Sequence, residues 1–478
     1  MSLIKLIFSF EWRQFVRQPA QLLILIFFLL MGFYSLSIGH RFVGRQLEGL
    51  DTLQKNQQLN LQELIDRFNA DTSTAKGKML AEQAGLPQVI EYRASPLATN
   101  PPHGLAVMAI GQRDILPYFD IINSKRDVLT PPNAEIANPE KLASGNFDFS
   151  FVLIYLFPLL IIILCYDLFA KEKEQQTDRL LNVQSGDLNQ ILRYKLLFRL
   201  LLVSVLSWTL SAIGVLIRPA ATALSAIDVV LWFFVLNAYL LFWFSICWLV
   251  VVFRKSSRIN ALVLLGIWLL LTLVLPALMN KLAALKYPMP LRTELVAHQR
   301  ETMLDTWEMP IKELLIEFYR NHPEYRPLRR TDDTAQYGNK RFVAYYDLLG
   351  RRMNENVKAY QTAAQKHNSW LSKTAWLNPV AQMQSLLNAS AGTGLNDYLF
   401  YQSQAGLFQN QWSKLMNSYL LVNKKLSRTE VLNLPAFKPE KDEHRAARIF
   451  GNALSIWLTL ILILWISSKR KLIKTKNS

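Results

Sequence analysis

Residues 151–181 read FVLIYLFPLLIIILCYDLFAKEKEQQTDRLL, and their character changes abruptly at position 167. An uncharged stretch gives way at once to Asp167, Lys171, Glu172, Lys173, Glu174, Asp178 and Arg179. The uncharged part belongs to one of six apolar runs, at 18–39, 149–166, 200–217, 229–253, 259–280 and 449–468, each of 18 residues or more. A helix rising about 1.5 Å per residue needs about 20 apolar residues to cross roughly 30 Å of hydrocarbon. The overall hydrophobic share of 51% is close to that of a soluble protein, so the signal lies in how the apolar residues cluster. One such run could be a buried helix of a large soluble core, but six point to an all-α polytopic membrane protein with six transmembrane helices.

The first run is too long for the apolar region of a signal peptide, and no small-x-small cleavage site follows it. Lys and Arg near the run ends set the orientation. One set of ends carries Lys5, Arg13, Arg17, Lys171, Lys173, Arg179, Arg193, Lys195, Arg254, Lys255, Arg258, Lys469, Arg470, Lys471, Lys474 and Lys476. The short turn 218–228 on the other side offers only Arg218. Both termini are therefore expected in the cytoplasm of a bacterial-type inner membrane. This asymmetry also accounts for much of the net charge of +17, which speaks against nucleic acid as a partner. Cys165 and Cys247 both fall inside apolar runs, so the outer regions hold no disulfide.

The chain divides as follows. Residues 1–17 form an interfacial helix with a polar stripe of Lys5, Ser9, Arg13 and Arg17, an apolar side of Leu3, Ile7, Phe10 and Phe15, and Trp12 suited to the membrane interface. Pro19 breaks it from span 1 (18–39). Span 2 covers 149–169, a charged segment 170–195 follows, and spans 3 to 6 cover 196–217, 229–253, 259–280 and 449–468, before a basic tail at 469–478. Two extracytoplasmic insertions, 40–148 and 281–448, read as mostly helical, with Pro-rich connectors in SPLATNPPHGLAV and LTPPNAEIANPE.

Several chemistries have no motif here. There is no GxxxxGK[ST] phosphate loop, HExxH, metal-spaced Cys pair or GxSxG elbow. The six histidines (His40, His103, His298, His322, His367 and His444) lie in the outer regions without local ligand spacing and read as scattered surface residues. The spans are almost free of ionisable groups. Arg199 can snorkel from the end of span 3, and Asp167 and Asp228 sit at span ends. A coupled secondary carrier places titratable groups at mid-membrane, so that reading is disfavoured. Pro158 is a mid-span kink or a tolerated proline.

The stretch DLFAKEKEQQTDRLLNVQSGDLNQILRYKLLFRLLLV (167–203) resembles the first cytoplasmic loop of ABC-2 type transporter permeases, whose pattern is xGERExGTLxxLLxxPVSRxxLLxGK. Glu172 and Glu174 match its acidic pair, Thr177 its threonine, Leu180 and Leu181 its leucine pair, and Lys195 the lysine leading into the next span. Gln176, Ser185 and Tyr194 depart from the usual Gly, Pro and Gly. A second stretch, LNPVAQMQSLLNASAGTGLNDYLFYQSQAGLFQNQW (377–412), looks like the signature of a subgroup with a large insertion between spans 5 and 6, related to gliding-motility and nitrous-oxide-reductase-maturation permeases.

The resemblance implies a transport subunit, not an enzyme. It would carry no cofactor of its own, with ATP and Mg²⁺ held by a separate ABC ATP-binding subunit. It also implies a second permease copy or homologue as partner, besides membrane lipid and an unknown substrate. Glu172, Glu174, Thr177, Arg179, Leu180 and Leu181 are the expected ATPase contacts. The alternating charges of 170–181 suit a solvated helix, and the leucine pair suits an interface anchor. The alternative is a mechanical transmitter acting on an extracytoplasmic protein or lipid without moving a solute.

Overall fold

The computed structural model describes residues 3–125, 147–168, 170–174, 176, 188–253, 255–288, 292–328 and 338–474. The connector LTPPNAEIANPE, at 129–140, lies outside them. The fold is almost wholly helical. Its elements are α1 (Leu3–Arg17), α2 (Pro19–Phe68), α3 (Ala75–Ala84), α4 (Pro87–Arg93), β1 (Leu97–Thr99), β2 (Phe119–Ile121), α5 (Phe149–Cys165) and α6 (Ala170–Glu174). There follow α7 (Leu188–Leu216), α8 (Ala226–Val252), α9 (Ser257–Lys286), α10 (Arg292–Glu308), α11 (Ile311–Asn321) and α12 (Gly338–Thr374). The chain continues through α13 (Pro379–Ser390), α14 (Leu395–Leu420), α15 (Arg428–Leu432) and α16 (Arg445–Lys474). β1 and β2 pair antiparallel, Leu97 opposite Ile121.

Among the described residues, α2, α7, α8, α9 and α16 are long and apolar enough to cross a membrane. α5 is equally apolar but shorter. Together they make a membrane-embedded bundle with α8 at its centre: 72% of the most apolar stretch of α8 is buried, against 17% for α9. The sequence of α8 is apolar all round, as a helix surrounded by others must be. Two of its large aromatics have their polar atoms satisfied by neighbours. Trp232 Nε1 donates to Ser211 Oγ on α7 at 3.2 Å, and Tyr239 OH donates to the Ile154 carbonyl on α5 at 2.7 Å.

The Tyr239 bond repairs a break. Pro158 has no N–H, and α5 opens into a π-turn over Val152–Leu156 just before it. In hydrocarbon an unpaired carbonyl costs several kcal/mol (roughly 2–7), so neighbouring helices must supply donors. Tyr239 takes the carbonyl of Ile154, and Trp268 Nε1 of α9 takes that of Tyr155 at 3.2 Å. α9 has the same arrangement, a π-turn over Leu270–Val274 ahead of Pro276.

The end of the bundle where α1 and α2 meet is the end rich in Lys and Arg, and is here the basic end. α1 packs there on α7 and α2, with Phe8 and Trp12 edge-on to Phe198. Ile7, Glu11 and Phe15 point inward, four residues apart, whereas Leu3 and Phe10 are turned outward with Trp12.

The opposite end carries a second core. The apolar run 18–39 is only the first part of α2, which continues unbroken to Phe68 because no proline or turn cluster interrupts it. Gly39 is what lets this rod pass the Gly104–Val107 turn, since a Cβ there would lie 1.8 Å from the Val107 carbonyl oxygen. Leu64 of α2 then joins Ile90, Ala98, Leu314, Phe318, Leu348, Met353, Tyr401 and Trp412 in one cluster. Regions 40–148 and 281–448, read from sequence as two insertions, thus share a single hydrophobic core. Trp412 Nε1 donates to Glu91 Oε1 at 3.3 Å and Tyr401 OH to Asp120 Oδ2 at 2.9 Å, each joining one region to the other.

Candidate functional site

α1 contains one carboxylate, Glu11, among Lys5, Arg13 and Arg17. Helical spacing puts it in line with Ile7 and Phe15, and packing on α7 carries all three inward. Glu11 is 5% exposed and Lys195, in the second turn of α7, is 7% exposed. Charges this deep need partners, because an ion stripped of water is destabilised by several kcal/mol (order of magnitude). Lys195 Nζ lies 2.7 Å from Glu172 Oε1 of α6 and 3.2 Å from Glu11 Oε1. One turn further along α7, Arg199 reaches Glu11 Oε2 at 3.8 Å and Asp167 Oδ1 at 3.5 Å, and donates to the Leu164 carbonyl at the end of α5.

Five ionisable side chains from α1, the α5–α6 turn, α6 and α7 therefore converge. They line an open cavity together with Gln14, Gln18 and Gln21. Lys195 is the hinge of the group, since it pairs with a carboxylate of α1 and one of α6.

Glu174 reaches a different helix. Its Oε1 accepts from Ser257 N at 3.1 Å and from Ser257 Oγ at 2.7 Å, at the first residue of α9. The N-cap of α9, Ser256, makes no side-chain cap, so Glu174 fills that role from another segment. The Ser257 hydroxyl and amide hold the Glu174 carboxyl below its usual range. Beyond it Gln176 has φ 58°, the left-handed region that favours glycine.

Of the residues singled out in the sequence, Glu172 and Lys195 are brought into this network, and Glu174 holds the start of α9 instead. Thr177, Arg179, Leu180 and Leu181 lie outside the described residues. Glu11 went unread, although its isolation on a basic helix in register with two apolar residues was a usable signal.

The 377–412 stretch has a defined place at the other end. α13 packs against α8, α16 and both π-turns, and its Val380, Met383, Leu386 and Leu387 belong to the core of the bundle. Asn378 Oδ1 caps it by accepting from Val380 N and Ala381 N. Arg445 of α16 closes its other end, donating to the Ala389 carbonyl at 2.8 Å and the Ser390 carbonyl at 2.6 Å. Gln382 donates to the Asn452 carbonyl at 2.6 Å.

Two histidines are not scattered surface groups. His103 Nε2 is 3.1 Å from Asp228 Oδ2. His322 lies between Asp347 at 2.8 Å and Glu324 at 3.0 Å, and the Asp347 bond raises its pKa. Burial of Arg113, which bonds Gln46 of α2 and the Asn100 carbonyl, pushes its pKa down to about 10. Among the described residues no cluster of His, Cys, Asp and Glu is arranged to hold a metal.

In comparisons with known proteins, no curated protein and no solved structure matches the chain. A family profile described as a domain of unknown function, DUF3526, matches residues 292–440, which run from α10 past α15.

Proposed function

We propose that this chain is the membrane subunit of an ATP-driven ABC-2 type transporter, in which a separate ATPase docks on residues 170–195 and drives export. In this reading α5 is a sixth span beside the five longer helices, both termini are cytoplasmic, and the basic end faces the ATPase. ATP and Mg²⁺ belong to the partner, and a second permease copy or homologue completes the assembly. The observation that carries the reading is the bonding of α6. Glu172 ties it through Lys195 to α7 and α1, and Glu174 ties it to the start of α9. A push on so short a segment therefore reaches three helices at once. The left-handed Gln176, where the resembled loop carries glycine, supports the same reading.

The test is a co-purification from gently solubilised membranes, comparing wild type with a Glu172→Lys/Leu180→Asp variant. An ATP-binding subunit retained by wild type and lost from the variant is the expected result. A well-folded wild type that brings down no ATPase would sink the proposal.

A mechanical transmitter is the second reading, and α2 favours it. Its 50 residues make a rod of about 75 Å that starts beside α1 at the basic end and ends in the core of the far domain. A transmitter loses function when that domain is mutated while basal ATPase activity persists. A translocating permease shows ATPase activity stimulated by its substrate.

A further inference from the structure

In the far domain a turn at 110–118 and a second turn at 392–394, just ahead of α14, line one open cleft. Each contains a glycine in the left-handed region, Gly111 (φ 57°) and Gly392 (φ 64°). A Cβ on Gly111 would lie 2.5 Å from Thr393 Oγ1, so glycine also permits the approach of the two turns. Gln112 N fixes it by donating to the Thr393 carbonyl at 3.0 Å. Arg113 lines the cleft and is only 6% exposed. Its Nε donates to Gln46 Oε1 of α2 at 3.0 Å and its Nη2 to the Asn100 carbonyl at 2.7 Å. One edge of the guanidinium is thus held by neutral groups. Among the described residues Nη1 has no acceptor, and no carboxylate lies within ion-pair distance of the charge. A cation buried without a counter-ion is destabilised. The cleft around it holds further unused donors and no acidic side chain: the Tyr118 and Tyr398 hydroxyls and the Asn100 side-chain amide make no hydrogen bond among the described residues. Burial pushes the Tyr398 pKa up to about 12, so its hydroxyl keeps the proton at neutral pH. Leu116 and Pro117 give the cleft an apolar wall.

We propose that this cleft binds a carboxylate, that of a small organic acid or of a peptide C-terminus, on the free edge of Arg113. A guanidinium takes both oxygens of a carboxylate in parallel, here through Nη1 and the remaining hydrogen of Nη2. One negative charge then balances one positive charge. A phosphate or sulfate dianion would bring a second negative charge that no residue lining the cleft neutralises. The apolar wall suits the carbon end of the acid. A bound carboxylate joins α2, which holds Arg113 through Gln46, to α14, which supplies Tyr398. The site requires nothing of the basic end, so it stands apart from the transport reading.

The experiment follows thermal unfolding of the purified full-length chain in detergent at constant ionic strength. The titrants are acetate, acetyl-alanyl-alanine with a free C-terminus, the same dipeptide as its amide, and sulfate. The midpoint is expected to rise and level off with an acid, and to stay put with the amide and with sulfate. A response to acetate assigns the site to a small acid, and a response to the dipeptide acid alone assigns it to a chain end. Tyr398→Phe keeps the ring, and Arg113→Lys keeps the charge without the fork. Each is expected to weaken the apparent Kd about tenfold or more. No saturable rise with either acid, from a folded wild type, would overturn the proposal. An equal rise with sulfate would do so too, as would wild-type Kd values in both variants. Should Arg113→Lys fail to fold, Tyr398→Phe decides alone.

Discussion

Lys195 carries the basic end at the scale of single residues. Removing its charge by Lys195→Met leaves Glu11 and Glu172 facing each other without a counter-ion between them, although Arg199 still reaches Glu11 at 3.8 Å. Breaking a buried pair on one side costs about 3–5 kcal/mol, so the variant should unfold at clearly lower temperature in detergent. Adding Glu11→Gln to Lys195→Met should recover part of that loss. A double variant as unstable as the sum of the two singles would mean that the two side chains do not interact. Lys195 and Glu172 were legible because they fall on a recognisable loop pattern. Glu11 was not, because the regular Lys5–Ser9–Arg13–Arg17 stripe defines a polar face that does not contain it. Its partners, Lys195 and Arg199, lie more than 180 positions away, so the reason for burying it cannot be read from α1 alone.

Two elements show more than their own sequence does. The apolar span 18–39 and the helical stretch read after it form one helix, α2, because loss of apolar character is not a helix stop, and Gly44 and Gly49 do not interrupt it. α5 contains Pro158, and the sequence could not say which groups take up the freed carbonyls. They are Tyr239 and Trp268, on helices α8 and α9. Tyr239→Phe keeps the ring and removes the donor, so it should cost about 1–3 kcal/mol, the penalty of an unsatisfied buried acceptor. Thermal unfolding in detergent measures this, and an unchanged midpoint would show that the Ile154 carbonyl is satisfied otherwise.

In the far domain, His322 links α11 to α12 through Asp347, with Glu324 and Arg351 also facing it. Its pKa is raised above the ordinary value of 6.5, so the bond adds stability that is full below that value and is lost as pH rises through the higher folded value. Wild type should therefore lose stability relative to His322→Asn on going from mildly acidic to alkaline pH. Parallel pH profiles for the two proteins would contradict this.

For the whole molecule, the class of fold was readable and the assembly of the far domain was not. Apolar runs of membrane length identify themselves locally, whereas the shared core depends on contacts such as Trp412 with Glu91 and Tyr401 with Asp120, some 300 positions apart. Trp412 is fully buried, and Trp412→Ala should cost about 3–5 kcal/mol. Because the core is shared, limited proteolysis of that variant should open sites in 75–125 and in 292–440 together. Cleavage confined to 292–440 would mean that the two regions fold separately.

If residues 170–195 receive a separate ATPase, a photo-crosslinking amino acid in place of Leu180, activated in intact membranes, should form an adduct with an ATP-binding subunit that mass spectrometry identifies. Adducts only with lipid or with this chain itself, from a protein that is folded and inserted, would contradict it.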